Sequence, residues 1–192
     1  MLDVAVKFLA TELNAFLAAR AAIDSSGMGG AVVSRIGSAT SGWDIPEEQI
    51  VVSLINVEEE RAIRPQVPQT VYLGGAHVQL EPELIVNLHL LFAVNFRDYE
   101  AALRQLAHVL TFFQARPVFT RERYPGLDPR IGRLAVDLIS LTYEQLNQLW
   151  SFLGAKQLPS AVYRVRLVAL QDREPMAVHP PILEVHVDTE VL

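Results

Sequence analysis

The five histidines of this sequence are the residues best suited to metal or acid–base chemistry, but their spacing does not form a site. They are His77, His89, His108, His179 and His186, and no pair has the separation that zinc ligands use. Neighbouring patterns place His89 on a strand and His108 in a helix, where a packed or hydrogen-bonded histidine is the ordinary case. The histidines therefore predict no metal site.

One histidine shares a strand face with acidic residues. His186 alternates with Glu184 and Asp188, so a strand would point all three side chains the same way. These residue types could bind a metal weakly, or they could form a solvated or subunit-contacting surface. We favour the second interpretation.

Acidic and glycine-rich segments offer no better chemistry. Glu58–Glu60 is followed by Arg61 and Arg64, but acid–base catalysis needs carboxylates held in a cleft with separated pKa values. We interpret the run as a solvated face. The segment Gly27–Gly30 follows a helix and lacks the Gly-Lys-Ser/Thr ending of a phosphate loop, so it is predicted to end that helix.

Nucleophiles are also missing from the sequence or lack their usual context. The chain has no cysteine, which excludes disulfides, thiolate metal sites and cysteine nucleophiles. Ser160 is in no Gly-x-Ser-x-Gly elbow, and no histidine or acid stands in a context that would activate it. We therefore predict no catalytic residue, no cofactor and no metal, and a protein that is not an enzyme.

The composition is typical of a globular protein with a large core. The 192 residues suit one domain, and 51% are hydrophobic and 20% charged. A net charge of −6 argues against a nucleic-acid partner. No apolar run approaches the ~20 residues of a membrane helix, and no signal peptide is visible. We expect a soluble protein made in the cytoplasm, without a membrane partner.

The segment 142–168 specifies a helix, a corner and a strand. Thr142 and Gln145 form a capping box at the helix start, and apolar residues then recur at helical spacing. Gly154 stands where a left-handed C-cap belongs, and Pro159 blocks any return to helix.

The strand that follows carries an arginine pair. Alternation places Arg164 and Arg166 on one face, together with Val162 and Val168. Arginine with apolar flanks is enriched at protein interfaces. A contact surface and an exposed sheet face are equally good interpretations of this pattern.

Periodicity predicts the other helices and strands. One helix opens the chain at Leu2 and runs to about Ala22. Another follows the N-cap Asp98, and its predicted inner face consists of Leu103, Leu106, Leu110 and Phe113. The predicted strands are Val32–Ile36, Ile50–Val57, Ile85–Phe96, Leu134–Leu141 and the strand after Ala161.

These elements predict a single α/β (α+β) domain, a mixed β-sheet packed by about three helices. The predicted structural core consists of Leu88, Leu90, Phe92, Leu106, Phe113, Leu146, Trp150 and Tyr163.

Two segments depart from this regular body, which we assign to residues 1–173. Residues 58–83 are interrupted by proline and glycine and are predicted to be a protruding loop or extended hairpin. Residues 174–192 are broken by proline and end in the alternating stretch Leu183–Asp188. They suit an extended C-terminal arm that pairs on a sheet edge, its own or a neighbour's.

Irregular segments and exposed strand faces supply the candidate contacts with other subunits. Trp43 is expected in a loop beside Asp44, where packing and partner contact are equally good interpretations. The candidate contacts are Trp43, Arg61, Arg64, Tyr72, Arg164, Arg166, Glu184 and His186.

Three stretches carry a family resemblance. The first includes Asn87-Leu-His-Leu-Leu, Tyr99-Glu-Ala-Ala-Leu-Arg-Gln-Leu and Phe112-Phe-Gln-Ala-Arg-Pro-Val-Phe119; the others are residues 138–150 and 153–166. With the opening amphipathic helix, they resemble the tail-terminator, or cap, family of phage-tail-like extracellular contractile injection systems of the virulence-cassette and antifeeding-prophage type.

The resemblance implies an α/β subunit related to phage tail-terminator proteins. Such subunits form a six-fold ring on the last ring of the inner tube, end tube polymerisation and anchor the last sheath layer. The implied partners are further copies of the chain, the inner-tube protein and the sheath protein, within the assembled particle. A baseplate or adaptor ring of the same machine is the alternative, and a small-molecule enzyme is a more distant one.

Overall fold

The computed structural model describes residues 1–24, 29–39, 42–43, 45–60, 69–73, 76–80, 84–170 and 177–179. These residues include the helices α1 (Leu2–Asp24), α2 (Tyr99–Ala115) and α3 (Tyr143–Leu153). The first six strands are β1 (Ala31–Val33), β2 (Ser38–Ala39), β3 (Gly42–Trp43), β4 (Gln49–Glu59), β5 (Gln69–Leu73) and β6 (Ala76–Leu80). The remaining strands are β7 (Leu84–Asn95), β8 (Val118–Thr120), β9 (Arg133–Ile139), β10 (Ser160–Leu170) and β11 (Ala177–His179).

Six strands form the central sheet in the order β1-β4-β7-β10-β9-β8. The pair β1–β4 is parallel, and the other neighbouring pairs are antiparallel. Helices cover both faces of this sheet. The mixed α/β fold predicted from the sequence is therefore confirmed.

The central strand β7 is paired along almost its whole length on both edges. It pairs with β4 from Gln49↔Asn95 to Glu59↔Val86 and with β10 from Ser160↔Ala93 to Leu170↔Leu84. Its residues 86–94 are buried, apart from the partly buried His89. Burial on both faces explains why the sequence of this strand is almost continuously apolar.

Two β-bulges flank β7 and bend its neighbours. One lies between Leu54 and Asn56 on β4, and the other between Val165 and Val168 on β10. Bulges increase local twist, and the second one also changes the alternation of β10. Val168 is therefore buried in the same core cluster as Val165, and its sequence-based assignment to the arginine face is wrong.

The larger part of the core lies between the sheet and the helices α1 and α2. Its centre is a group of aromatic rings, in which Phe113 lies 5.1 Å from Phe92 and 4.6 Å from Tyr163 between ring centroids. The smaller part lies on the opposite face, where α3 packs Trp150 against Leu91 and Val162. Aromatic side chains bury the largest areas, so these contacts dominate the packing of both layers.

The predicted core residues all take part in this packing. Buried are Leu88, Leu90, Phe92, Phe113, Trp150 and Tyr163. Leu106 and Leu146 are partly buried and pack against the core on the α2 and α3 faces, respectively.

The helix ends are those that the sequence indicates. The Asp98 carboxylate accepts hydrogen bonds from the backbone N–H groups of Glu100 and Ala101 at the start of α2. Thr142 and Gln145 form the reciprocal capping box of α3, and Gly154 closes that helix at φ 64°. All three caps are confirmed.

The inward face of α2 differs from the prediction. Leu103 and Leu110 were expected inside, but they are 44% and 36% exposed. The buried residues are Ala102, Gln105, Val109, Phe112 and Phe113. Relative to the prediction, the helix is rotated about its axis, because Phe112 enters the core. The ring centroid of Phe112 lies 5.4 Å from that of Phe16 on α1.

Parts of the irregular segments form strands. β5 and β6 form an antiparallel hairpin within residues 58–83, and β11 adds to β6. Trp43 lies in the two-residue strand β3, paired with β2, and not in a loop. The predicted strand Leu183–Asp188 lies outside the described residues.

Gly29 allows a close backbone approach at the start of β4. A Cβ at this position would press on the Glu48 carbonyl and lie 2.7 Å from Cζ of Phe96. The Glu48 carboxylate also accepts a hydrogen bond from the backbone N–H of Arg97 at 3.1 Å. The turn before β4 is thereby held against the junction of β7 and α2.

Replacing Gly29 by alanine is expected to destabilise the fold by about 1–3 kcal/mol, because a backbone carbonyl must move. Gly132→Ala is the matched control: a Cβ there meets no atom within 4 Å, so a change below about 0.5 kcal/mol is expected. Urea unfolding of both variants measures the difference. Equal midpoints would contradict the close approach.

Candidate assembly interface

Four of the eight predicted contact residues lie on described strands, and the other four lie outside the described residues. Arg164 and Arg166 lie on β10. Trp43 lies in β3, opposite Ser38 of β2, and Tyr72 lies in β5, opposite His77 of β6. Outside the described residues lie Arg61, Arg64, Glu184 and His186. Their role as contacts therefore stays a prediction.

The two arginines belong to a row of polar residues on the α3 face of the sheet. Arg164 is opposite Asp137 on β9 and opposite His89 on β7. We define the polar band as Glu58, Glu60, Asn87, His89, Asp137, Arg164 and Arg166. It brings together charges from four neighbouring strands or their ends.

One arginine of the polar band is paired within the chain. Arg166 Nε lies 2.7 Å from Oδ2 of Asp137, although neither atom makes a hydrogen bond of good geometry. The contact is therefore a Coulombic pair more than a directed hydrogen bond. Its side chains are 43% and 41% exposed, so solvent screening limits its contribution.

The other arginine has no ion-pair partner among the described residues. Arg164 is partly buried, and its Nε is buried without a hydrogen bond. Its guanidinium group stays charged at any physiological pH. A partly buried cation without a partner would be stabilised by an acceptor from a neighbouring chain. Arg164 is thus a stronger contact candidate than Arg166.

The remaining polar band residues join β4 to β7. His89 Nε2 lies 3.2 Å from Oε2 of Glu58, and the Asn87 amide donates to Glu60 Oε2 at 3.1 Å.

In the described ranges, no group of three or more His, Cys, Asp or Glu residues is placed to hold a metal ion. No helix within the same ranges is long and apolar enough to cross a bilayer.

A second surface follows the exposed side of α2. Tyr99 is 65% exposed, and Leu103 and Leu110 repeat on the same side of the helix at 44% and 36% exposure. Large apolar side chains that lie in a row on a surface are typical of protein contacts.

The α2 row leads into an apolar groove beside β9. The groove has a volume of about 550 Å³, and its lining includes Leu110, Phe113, Pro117, Val136 and Leu138. Leu138 is 54% exposed at its rim. We call the row and the groove together the α2–β9 surface.

Tyr163 lies in the lining of the groove, with its ring in the aromatic core. Burial raises the pKa of Tyr163 to about 12. The phenol therefore stays protonated at neutral pH and is a poor general base.

The groove borders an incomplete sheet edge. The ladder of β8 and β9 runs from Thr120↔Arg133 to Val118↔Ala135 and ends with a 2.8 Å hydrogen bond from Val136 N–H to the Pro117 carbonyl. In the described part of the chain, no strand pairs with residues 137–139 on that side of β9. Exposed strand edges are sites for pairing with another chain.

The α2–β9 surface was not predicted from the sequence, although two signals were present. Pro117 has no N–H and so ends a ladder, which marks the place where β8 stops covering β9. The periodic leucines of α2 indicate an apolar face, but periodicity does not say whether that face is buried within the chain.

Two exposed aromatic residues on α3 do not add a third surface. Tyr143 is 95% exposed and Phe152 is 84% exposed. They are nine residues apart, which places them on opposite sides of the helix. Singly exposed apolar residues of this kind are common on protein surfaces.

Comparison with known proteins gives a consistent set of similarities. Residues 5–184 match the family described as the Pvc16 N-terminal domain. The fold is similar to the cryo-EM structure of the sheath/tube terminator of an extracellular contractile injection system, PVC, in the extended state (TM-score 0.59, 14% identity). It is also similar to the tube-terminating cap of the anti-feeding prophage, AFP (TM-score 0.51, 17% identity).

The chain corresponds to part of each of these two structures. The first similarity covers 95% of this chain and 63% of the PVC terminator, and the second covers 83% of this chain and 55% of the AFP cap. No curated protein matches the chain.

The outward orientation of the α2 leucines can be tested by truncation. Leu103→Ala is expected to cost less than about 1 kcal/mol, because the side chain is 44% exposed. Phe112→Ala is expected to cost about 3–5 kcal/mol, because it opens a cavity in the aromatic core. Urea unfolding measures both values. Similar losses for the two variants would show that the helix face is assigned wrongly.

Proposed function

The chain belongs to the Pvc16 N-terminal domain family, and from this premise we propose that it is the structural cap of a contractile injection system. Copies of the chain form a homo-hexameric ring on the distal end of the inner tube, end its polymerisation and anchor the last sheath ring. The observation that carries this proposal is the similarity of fold, over 95% of the chain, to a sheath/tube terminator.

The surfaces of the chain support a ring. A closed ring needs a heterologous contact, in which two different patches of neighbouring copies meet. The α2–β9 surface is apolar, and the polar band lies on the opposite face of the sheet. Aromatic residues and arginine are enriched at protein interfaces, and the two surfaces contain Tyr99 and two arginines, respectively.

A ring ends a tube when it binds the last tube ring on one face and offers no growth surface on the other. In this proposal one face binds the inner-tube protein at the last tube ring, and the outward face does not reproduce the surface on which a further tube ring would grow. The sheath protein is the third partner, held at the outer side of the ring. The chain is made in the cytoplasm and becomes a component of the assembled particle.

The chemistry of the groove supports a structural role over an enzymatic one. Its lining is mostly aliphatic and aromatic, and its polar residues are Gln114, Tyr163 and Asp137, whose carboxylate belongs to the polar band on the opposite face of the sheet. Asp137 is paired with Arg166, and the Tyr163 phenol stays protonated at neutral pH. These groups do not converge as a nucleophile and an activating base.

Removing this chain from a cell that produces the particle is expected to release control of tube length. Electron microscopy of purified particles should show a broad length distribution and loosely held sheath, because nothing ends the tube or anchors its last sheath layer. Re-expression of the unchanged chain is the control and should restore uniform particles. Uniform particles with firm sheath in its absence would contradict the proposal.

Two further measurements separate a cap from another ring of the same machine. Native mass spectrometry of the chain released from particles should show a hexamer. A label on the chain should appear at the end of the tube that is far from the baseplate. A label at the baseplate end would favour a baseplate or adaptor ring.

A further inference from the structure

We propose that the open edge of β9 accepts a strand from a second copy of the chain, formed by residues 183–187, and that this pairing joins neighbouring copies. The inference rests on the ring proposed above and locates one of its contacts. It combines two features that the cap assignment does not use: the incomplete β8–β9 ladder and the alternating C-terminal segment.

The backbone of β9 offers hydrogen-bonding groups at this edge. In an antiparallel sheet, alternate residues direct both N–H and C=O to the same side. Val136 bonds toward Pro117, so Leu138 also points its backbone groups away from β10. Pro117 has no N–H to give to the Val136 carbonyl. A strand added here would supply the missing donors and acceptors.

The side chains at this edge favour an apolar strand face. Leu138 is 54% exposed and lies in the groove lining with Leu110 and Phe113. Every second side chain of an added strand would point into that groove. The added strand must therefore present apolar residues at alternate positions.

The C-terminal segment has this pattern. Leu183, Val185 and Val187 alternate with Glu184 and His186. Pairing in one register places the three aliphatic residues in the groove and the polar residues on the opposite face of the sheet. That face carries the polar band, in which Arg164 has no ion-pair partner among the described residues.

The direction of the chain favours a second copy as the donor. The open edge lies beside the start of β10, since Leu138 is opposite Tyr163. The chain leaves β10 at Leu170, opposite Leu84. Tyr163 is opposite Leu90, so this point lies six residues of β7, about 20 Å at 3.3 Å per residue, further along the sheet. The hairpin β5–β6 also begins from that end, and β11 pairs with β6. An arm that leaves one end of the sheet and an acceptor near the other suit a head-to-tail contact, the type that closes into rings.

The absence of native cysteine makes a direct test possible. Leu138→Cys is combined with a second cysteine at Leu183, Val185 or Val187, and assembled particles are treated with an oxidant or a short bis-maleimide. The expected result is loss of the free chain and a ladder of its multiples that ends at the closed ring. The strongest product identifies the residue opposite Leu138.

Matched controls use the residues of the other strand face. Leu138→Cys combined with Glu184→Cys or His186→Cys should give only the background of Leu138→Cys alone, because these side chains point away from the groove. Equal crosslinking at odd and even positions would overturn the proposed pairing. A crosslink within one chain, or only to a tube or sheath protein, would overturn the second copy as donor.

Deletion of residues 180–192 is an independent test that does not depend on crosslinking. The shortened chain should keep its circular dichroism spectrum and unfolding midpoint but lose the ring species in native mass spectrometry. A ring of normal size formed by the folded, shortened chain would overturn the inference. Crosslinked rings in particles of uncontrolled length would instead leave the strand contact standing and contradict the cap function.

Discussion

The burial of β7 on both faces is the constraint on which the rest of the structure depends. Because β4 and β10 occupy its two edges, side chains such as Phe92 and Leu91 point to opposite faces, and each face needs its own cover. α1 and α2 supply one cover through the aromatic cluster, and α3 supplies the other through Trp150. Removing a core aromatic side chain would cost about 3–5 kcal/mol, a large share of the 5–15 kcal/mol that is typical of a whole domain. Both helical layers are therefore needed for the stability of the sheet that they cover.

The strands at the two ends of the sheet are hydrogen-bonded less completely than the central strand. On β1, Asn14 of α1 makes two hydrogen bonds with Ala31, donating to its carbonyl at 2.8 Å and accepting from its N–H at 2.6 Å. At Ala31 the Asn14 amide thus takes the place of a further strand. At the other end of the sheet, β8 covers only the first part of β9, since Pro117 ends the ladder. Edge strands are normally protected against pairing with other chains. Among the described residues nothing pairs with residues 137–139 of β9 on the β8 side, so this edge beside the apolar groove is available for pairing.

The features that could be predicted from the sequence are those that depend on neighbouring residues along the chain. Asp98, the capping box at Thr142 and the left-handed Gly154 act within one helical turn, and the structure places each as predicted. The position of Val168 could not be predicted, because a β-bulge depends on how β10 meets β7. The groove beside β9 was also hidden, because it is formed by α2, β9 and β10, which meet only in the folded chain. The contacts predicted in residues 61–68 and 180–192 lie outside the part of the chain that the structure describes.

The error in the α2 assignment has a physical meaning. Leu103, Leu106 and Leu110 do form an apolar row, and such a row indicates that a face is buried somewhere. The pattern carries no information on whether the partner surface belongs to the same chain or to another. Phe112 and Val109 occupy the position against the sheet, which turns two of the three leucines outward. Exposed leucines beside the groove and the β9 edge are the kind of surface that a contact with another chain would use. An apolar row on the outer side of a helix is therefore visible in the sequence, but only the folded chain shows that two of its three leucines are exposed.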